Sequence, residues 1–435
     1  MKRIILSFSL LCALTSSAQD CFTLRQCIER ATSRNISIRQ SDLSRQQSAI
    51  ALNSARNARL PELSASASEN LSFGRGLTAN NTYVQRTTSS TSFHLGASIP
   101  LYLGGRIGLE KQRASLNLAA ATADVDVLRE NLSLQVARLY LQCLYNADMT
   151  EQSRANLAEA QKQEQRVAQR IAAGKTPEID LAEAQSRVAQ DQLALTQAEN
   201  AHKLSLLDLS QLLEMSSPDS LQIVRPGDEQ LPNIVGNPEE IYLLALSERP
   251  ALRAADLRIQ AAEKSIAIAR TGMRPQVSAS AGLGTSYYST SGIKNSALGT
   301  QIKDNFGQQI GVSVSIPLFD RYATRNNVST ARLECLNQQL ALEEQRKRLY
   351  KDIQDAYYNA LAAQQKHEAS QAAEIAATTA LRAVEKKYET GRATATEYDE
   401  ARLRHFTATS NRIAARYELL FRAKILDFYR GEALQ

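Results

Sequence analysis

The feature that most constrains this chain is a long stretch without proline or glycine, from about Ala323 to Tyr388. It is rich in Ala, Gln, Glu, Leu, Lys and Arg, which are strong helix formers. About 65 residues at ~1.5 Å per residue give a helix of roughly 100 Å, several times the usual length in a globular domain. Gly391 follows the stretch, and a second helix is predicted to run back from there. The sequence therefore predicts a long helical hairpin rather than an ordinary compact domain.

The first half of the chain repeats the pattern of the second half. The segment Ser98-Ile-Pro-Leu matches Ser315-Ile-Pro-Leu at an offset of 217, and Gly174 matches Gly391 at the same offset. Because the offset does not change along the long helix, both copies keep the same helix length. The predicted parts of the chain are a first repeat at 19–215, a linker at 216–237 and a second repeat at 238–435.

Each repeat is predicted to contain two strands, a long helix and a return helix. The strands alternate apolar residues with serine, glycine and other small polar residues, which is the period of a β-strand with two unlike faces. Proline marks the transitions between strands and helices, at Pro61, Pro100, Pro275 and Pro317. The predicted strands are 61–73, 91–101, 275–287 and 306–318, the long helices are 107–172 and 323–388, and the return helices are 178–214 and 396–429. The Gly-, Ser- and Thr-rich segments at about 74–90 and 285–307 are predicted loops.

The return helices carry stripes at a 3-4 spacing, which are typical of coiled-coil seams. The first stripe comprises Leu181, Ala184, Val188, Leu195, Ala198, Leu209 and Leu212. The second comprises Leu403, Phe406, Ser410, Ile413, Tyr417 and Leu420. We expect these faces to pack against other helices.

An apolar strand face backed by small polar residues is typical of outer-membrane barrels. A soluble two-layer β domain is the alternative, but the second face is nearly all Ser and Gly. Four strands cannot close a transmembrane barrel, and unpaired strand edges are not viable in hydrocarbon. Two chains would give about eight strands around a lumen filled by side chains, whereas three would give twelve around an open pore. We therefore predict a homotrimer.

The first 18 residues have the pattern of a signal peptide. Lys2 and Arg3 precede an apolar run, and small residues follow at Ser16 and Ala18. We expect export and cleavage after Ala18, and the residues before Cys21 lack the small apolar box of a lipoprotein signal. No later stretch reaches ~20 apolar residues, the length that a transmembrane helix needs.

Charge and cysteine content add little to this prediction. The formal net charge is +6, but basic and acidic residues are interspersed along the chain. Solvated helix faces explain that pattern better than a phosphate-binding patch, so we expect no nucleic-acid partner. Two states are open for Cys21 and Cys27: a disulfide formed in an oxidising compartment, or small core or surface thiols.

No catalytic or cofactor-binding motif is visible. The histidines are isolated and form no metal-ligand pair, at His94, His202, His367 and His405. Gly282-Leu-Gly284 opens no helix, so it is not a phosphate loop. We expect no enzyme activity, no metal and no cofactor. A soluble periplasmic coiled-coil adaptor or scaffold would explain the helices, but it would give the Ser-backed strands no purpose.

Several segments together carry a family resemblance. They are the duplicated Ser-Ile-Pro-Leu segments, the opening Phe22-Thr-Leu-Arg-Gln-Cys-Ile-Glu-Arg-Ala, and the turns Gly174-Lys-Thr-Pro-Glu-Ile-Asp180 and Tyr388-Glu-Thr-Gly391-Arg-Ala. In their order and spacing the chain resembles the TolC family of outer-membrane efflux proteins. The resemblance implies a fold that is mainly α with a small β part. It also implies a trimer in which a twelve-stranded transmembrane β-barrel is continuous with a long periplasmic α-helical barrel.

The resemblance further implies a passive exit duct that draws its energy from a pump. The implied partners are a periplasmic adaptor, an inner-membrane pump of the resistance-nodulation-division or ABC type, and the lipid of the outer membrane. The implied cargo is drugs and other toxic small molecules. Type I protein secretion is the alternative cargo class, and the sequence does not separate the two.

The resemblance places the functional site at the periplasmic tip, in the turns at Gly174 and Gly391, where an adaptor docks. Acidic residues six and nine positions after the second glycine ring the closed entrance in the family. At that spacing the two turns of this chain hold Asp180, Glu183, Glu397 and Glu400.

A lock between the two turns is also implied. Tyr388 matches the tyrosine that ties the closed tip to the acid of the first turn, here Asp180. The family arginine falls one place early, at Arg392. Converging carboxylates would favour cations at such a mouth. The residues also fit a plainer role, because Thr394-x-x-Glu397 matches a capping box and would make Glu397 a helix cap.

Overall fold

The computed structural model describes residues 21–77, 81–174, 176–218, 221–225 and 236–432. The predicted signal peptide at 1–18 and much of the predicted linker lie outside the described residues. In chain order the elements are β1 (Cys21–Phe22), α1 (Leu24–Arg34), α2 (Ile36–Asn57), β2 (Glu62–Leu77), β3 (Tyr83–Leu103), α3 (Arg106–Ala172), α4 (Ile179–Leu212), β4 (Gln222–Ile223), α5 (Pro238–Glu248), α6 (Pro250–Ala269), β5 (Gln276–Thr290), α7 (Leu298–Asp304), β6 (Gly307–Ser315), α8 (Ala323–Glu389) and α9 (Ala395–Tyr429).

The fold is mainly α-helical with one four-stranded sheet, which confirms the predicted class. The two long helices, α3 and α8, have 67 residues each. Within the described residues, no helix is both long enough and apolar enough to cross a bilayer.

The sheet has the strand order β2-β3-β5-β6, and all its pairs are antiparallel. The register sets apolar residues opposite one another on one face, as in Leu95↔Leu283 and Ala281↔Ile310. Small residues meet on the other face, as in Gly96↔Gly282. β2 and β6 lie at the two edges of the sheet, so among the described residues each has one side without a strand partner.

Three of the four strands are longer than the sequence indicated, whereas β6 ends earlier, at Ser315. β2 has 16 residues and β3 has 21, so most of the predicted loop at 74–90 is a paired hairpin. Its hydroxyl-rich composition suggested a loop, but cross-strand bonds stabilise it: Ser89 and Thr91 both donate to the Glu69 carboxylate. Pro100 lies inside β3 rather than at its end, at a break in register with β5, where a missing N–H is tolerated. In the second predicted loop, at 285–307, the structure forms the end of β5 and the short helix α7.

The chain forms two compact units, and each unit takes segments from both predicted repeats. The first comprises the described residues of Met1–Gln40, Asp126–Arg249 and Arg346–Gln435. The second comprises those of Ser41–Val125 and Pro250–Gln345. The sheet lies in the second unit, and the turns at Gly174 and Gly391 lie in the first.

The core of the first unit is built around α1, α3 and α4. Its fully buried side chains include Cys27, Val136, Cys143, Leu209 and Leu213. Burial raises the thiol pKa of Cys27 to about 12 and that of Cys143 to about 11. The described cysteines are all free thiols, so Cys27 is a core residue here and is not bonded to Cys21.

The junctions between strands and long helices repeat an unusual backbone. Gly104 and Gly105 have φ of +63° and +86°, and at the offset of 217 Arg321 and Tyr322 have φ of +55° and +63°. A side chain in this left-handed region costs roughly 1–2 kcal/mol. A Cβ at Gly104 would also lie 2.6 Å from the Cβ of Arg274, which is closer than two non-bonded carbon atoms can approach.

We predict that Gly104→Ala destabilises the protein by about 2 kcal/mol or more, because it combines left-handed strain with that clash. Arg321→Gly at the matching position should change stability by less than about 1 kcal/mol, because relief of strain is offset by greater freedom of the unfolded chain. Thermal unfolding of the detergent-extracted protein, followed by circular dichroism, measures both. Equal stability of Gly104→Ala and the parent would contradict this account.

Candidate functional site

The two turns, which we call the tip turns, begin at the C-terminal ends of α3 and α8. Gly174 and Gly391 have φ of +69° and +70°, a conformation that suits glycine after a helix. At the second turn, the Arg392 N–H donates to the Lys387 carbonyl at 2.7 Å, and the Gly391 N–H donates to the Tyr388 carbonyl at 3.1 Å. This is a Schellman motif, which satisfies the last carbonyls of α8. Both tip turns are therefore sharp, well-defined helix ends.

Tyr388 is the residue through which α8 contacts its neighbours at the tip. Its hydroxyl accepts a hydrogen bond from Nε2 of Gln163 on α3, at 2.7 Å. Its ring stacks on Tyr398 of α9, with ring centroids 5.1 Å apart and an interplanar angle of 17°. The Arg170 guanidinium lies over the same ring, 5.4 Å from its centroid. One half-buried tyrosine thus connects three helices.

The Tyr388 hydroxyl is bonded to Gln163 in the single chain, and not to its predicted partner Asp180. Asp180 is half-buried in the first turn of α4, and its backbone N–H donates to the Pro177 carbonyl. Among the described residues no hydrogen bond joins Asp180 to Tyr388, and the Tyr388 hydroxyl accepts from Gln163. Arg392 is exposed and contributes its backbone N–H to the turn. The implied lock remains a prediction.

Glu397 acts as a helix cap in this structure. Its carboxylate accepts from the Thr394 N–H at 2.8 Å, and the Thr394 hydroxyl accepts from the Glu397 N–H at 3.2 Å. This reciprocal pair is a capping box at the start of α9. Glu400 forms an exposed pair with Arg404 at 3.2 Å, and Glu183 is exposed. The structure therefore gives Glu397 a local role that does not depend on any gate.

A groove lies along α8 and α9 beside the Gly391 turn. Alanines and Val384 form its apolar part, and charged side chains form its rim. The apolar residues are Ala376, Ala377, Ala380, Val384, Ala393 and Ala401, and the charged residues are Lys387, Arg392, Glu397, Glu400 and Arg404. Three of the predicted site residues therefore share one surface.

A buried ion pair that was not predicted from the sequence joins the return helices α4 and α9. Nη2 of Arg402 on α9 donates to Oδ2 of Asp191 on α4 at 2.8 Å, and the two side chains are only 5% and 6% exposed. Nη1 of Arg402 also points to the Asn156 carbonyl on α3, at 3.4 Å. Removing one partner of a buried pair typically costs about 3–5 kcal/mol.

Nearby charges extend this cluster. Nε of Arg187 lies 3.4 Å from Oδ1 of Asp191. Burial raises the pKa of the neighbouring Asp399 carboxyl, and Arg402 and Arg187 oppose that rise. Burial likewise raises the pKa of the Tyr398 hydroxyl to about 12.

One signal for the pair was present in the spacing of the return helices. Asp191 lies between Val188 and Leu195 on the predicted stripe of α4. On α9 the first part of the predicted stripe was wrong: Leu403 is 47% exposed, and Arg402 is buried in its place. Because Arg402 is charged, the sequence pattern placed Leu403 on the buried face of α9 in its stead. The burial of Arg402, and with it the ion pair, was therefore missed.

Comparison with known proteins decides the family. The family model described as outer membrane efflux protein matches residues 27–214 and 241–431, most of the chain. The chain belongs to the outer membrane efflux protein family. The resemblance seen in the sequence is thereby confirmed, as is a location in the outer membrane. A soluble periplasmic adaptor is the wrong class.

Relatives and solved structures agree with this assignment. Outer membrane protein OprJ of Pseudomonas aeruginosa is 24% identical over 377 residues, covering 85% of this chain and 75% of that protein. Outer membrane protein TolC of Escherichia coli K12 is 24% identical over 417 residues, covering 93% and 81%. The open-state MtrE outer membrane channel of Neisseria gonorrhoeae has the same fold, with a TM-score of 0.75 at 22% identity over 94% of this chain and 88% of that one.

The two roles considered for Glu397 can be separated by one substitution pair. Glu397→Gln keeps an acceptor for the Thr394 N–H, as Gln26 does for Thr23 in the capping box of α1. For Glu397→Gln we predict no change in the protection of the backbone amides in the first turn of α9 from hydrogen exchange. Glu397→Ala loses the acceptor, which costs about 1 kcal/mol and speeds amide exchange there about fivefold. Hydrogen exchange measured by mass spectrometry tests this. Equal exchange in the Gln and Ala variants would show that the cap contributes nothing.

Proposed function

We propose that this family member is the passive exit duct of a tripartite efflux system, carrying drugs and other toxic small molecules across the outer membrane. In this proposal three copies assemble, a periplasmic adaptor docks at the tip turns, and an inner-membrane pump of the resistance-nodulation-division or ABC type supplies the energy. The chain itself catalyses no reaction and carries no cofactor. The single observation that carries the proposal is the sheet with two open edges and two unlike faces.

The faces of the sheet support insertion into lipid. On the apolar face Leu63, Ile310 and Val312 are 70%, 89% and 65% exposed in the single chain. Exposed apolar side chains of this kind, present on both edge strands of the sheet, suit a hydrocarbon environment and not water. The opposite face, of Ser and Gly, suits a water-filled lumen.

The edges support assembly. β2 and β6 each have one side without a partner in this chain, and an unpaired backbone group costs several kcal/mol in hydrocarbon. Antiparallel pairing of β6 with β2 of the next copy would satisfy both edges. Three copies would then give about twelve strands, enough for an open lumen.

The tip supports docking of another protein. The groove beside Gly391 has an apolar floor of alanines between charged rims, which suits the side of a helical hairpin. One relative, the pyoverdine export outer membrane protein OpmQ of Pseudomonas putida, is named for export of a small molecule and matches 44% of this chain at 28% identity. That likeness supports the small-molecule cargo class.

We predict that the mature protein is found in the outer-membrane fraction and that detergent extraction yields a trimer. The reason is that the apolar strand face and the two open edges need lipid and neighbouring copies. Cell fractionation followed by light scattering on the purified protein measures both properties. A water-soluble monomer would overturn the proposed duct.

We predict that Asp180→Ala combined with Tyr388→Ala enlarges single-channel conductance in planar bilayers. The double variant removes the implied lock and also the stacking of Tyr388 on Tyr398. Arg25→Ala is a suitable control, because Arg25 forms only an exposed pair with Glu29 on α1. Unchanged conductance in the double variant would remove these two residues from the gate.

A further inference from the structure

We propose that the Arg402–Asp191 ion pair is the main contact that holds the α8–α9 hairpin against the α3–α4 hairpin near the tip turns. In the duct it would be a positioning pair that sets how far the entrance opens. This inference rests on the proposed function for its consequence, but the contact itself rests on geometry. None of the residues implied by the family resemblance takes part in the bond.

The pair joins elements that are distant in sequence. Arg402 lies at the start of the third turn of α9, Asp191 lies in α4, and the Asn156 carbonyl belongs to α3. One guanidinium therefore reaches both helices of the first hairpin. By contrast, the Tyr388 hydroxyl has a single partner, Gln163, on α3.

Arg402 and Asp191 each have few alternative polar partners near them. Nε of Arg402 has no hydrogen-bond partner, so its two Nη groups make all of its polar contacts. Arg187, the other cation near Asp191, is 22% exposed and lies on the same helix as Asp191. Its charge also lowers the pKa of the Asp399 carboxyl on α9, although Arg402 lowers that pKa more. If Asp191 lost its charge, Arg402 would lose the carboxylate to which its Nη2 donates.

The chemistry of the pair suits a contact that must separate and re-form. Burying two charges costs about as much solvation as their attraction returns, so the net contribution of a buried pair to stability is small. When the hairpins part, water can solvate both ions. An interdigitated apolar seam has no such compensation and would hold the tip in one state. A well-positioned but nearly balanced contact is what a reversible entrance requires.

Planar-bilayer recording on the full purified protein tests this. Asp191→Asn keeps the shape of the side chain and removes its charge. We expect the open fraction to rise about tenfold or more, since tenfold corresponds to only about 1.4 kcal/mol. Asp191→Leu combined with Arg402→Met replaces the ions by apolar groups, and we expect an open fraction below that of the parent. Glu199→Gln, which breaks an exposed pair between Arg154 and Glu199 on the same helix as Asp191, is the matched control and should match the parent.

Three outcomes would overturn the proposal. They are an Asp191→Asn open fraction no higher than that of Glu199→Gln, a Leu–Met variant that opens as often as Asp191→Asn, or hydrogen exchange around Tyr388 and Tyr398 that is unchanged by Asp191→Asn. Should Asp191→Asn fail to assemble, the Leu–Met variant decides, because an open fraction above that of the parent would overturn the proposal. Hydrogen exchange needs no pore, so it tests the contact even if the parent protein conducts nothing, a result that would refute the duct and not the ion pair.

Discussion

The backbone groups along the free edges of β2 and β6 impose the strongest constraint on this molecule. In hydrocarbon every N–H and C=O must find a partner, and a sheet of four strands leaves two rows without one. The alternation of side chains adds a second demand, since each strand presents an apolar face and a face of serine and glycine. A closed ring of strands would satisfy both demands, and the four strands of the described sheet are too few to form it. The proposed assembly of identical copies would answer this hydrogen-bonding requirement.

The helices meet a different requirement, because water is present on many of their faces. Their contacts near the tip turns depend on polar side chains: Tyr388 with Gln163, and Arg402 with Asp191. Such contacts fix position without adding much stability, because the same groups are well solvated when apart. Apolar burial is concentrated elsewhere in the same unit, around Cys27, Cys143 and Leu209. Within this unit, apolar burial around Cys27, Cys143 and Leu209 therefore contributes most of the stability, whereas the polar contacts near the tip turns mainly fix the positions of the helices.

Much of the fold could be predicted from local rules. The long run without proline or glycine predicted the length of α8, and the constant offset of 217 predicted the same length for α3. Glycines indicated the helix ends, and Thr394 with Glu397 indicated the start of α9. Contacts between distant parts of the chain were not predicted. The segment at 74–90, which contains the ends of β2 and β3, was predicted as a loop because it is rich in serine and threonine, although most of it pairs across the two strands. The partner of Tyr388 and the burial of Arg402 depend on which helices meet, and a single helix does not encode that.

The two strand-to-helix junctions show that matching positions of the two repeats can hold different residues in the same backbone conformation. Both copies retain a left-handed pair of residues, yet one copy keeps Gly104 and Gly105 while the other has Arg321 and Tyr322. The torsion angles alone therefore did not preserve glycine. In the first copy the side chain of Arg274 crowds position 104, which adds a steric demand for glycine to the torsional one. Position-by-position tolerance to substitution in such proteins should consequently differ between matching sites, and the nearest side chain, more than the backbone, decides which copy is permissive.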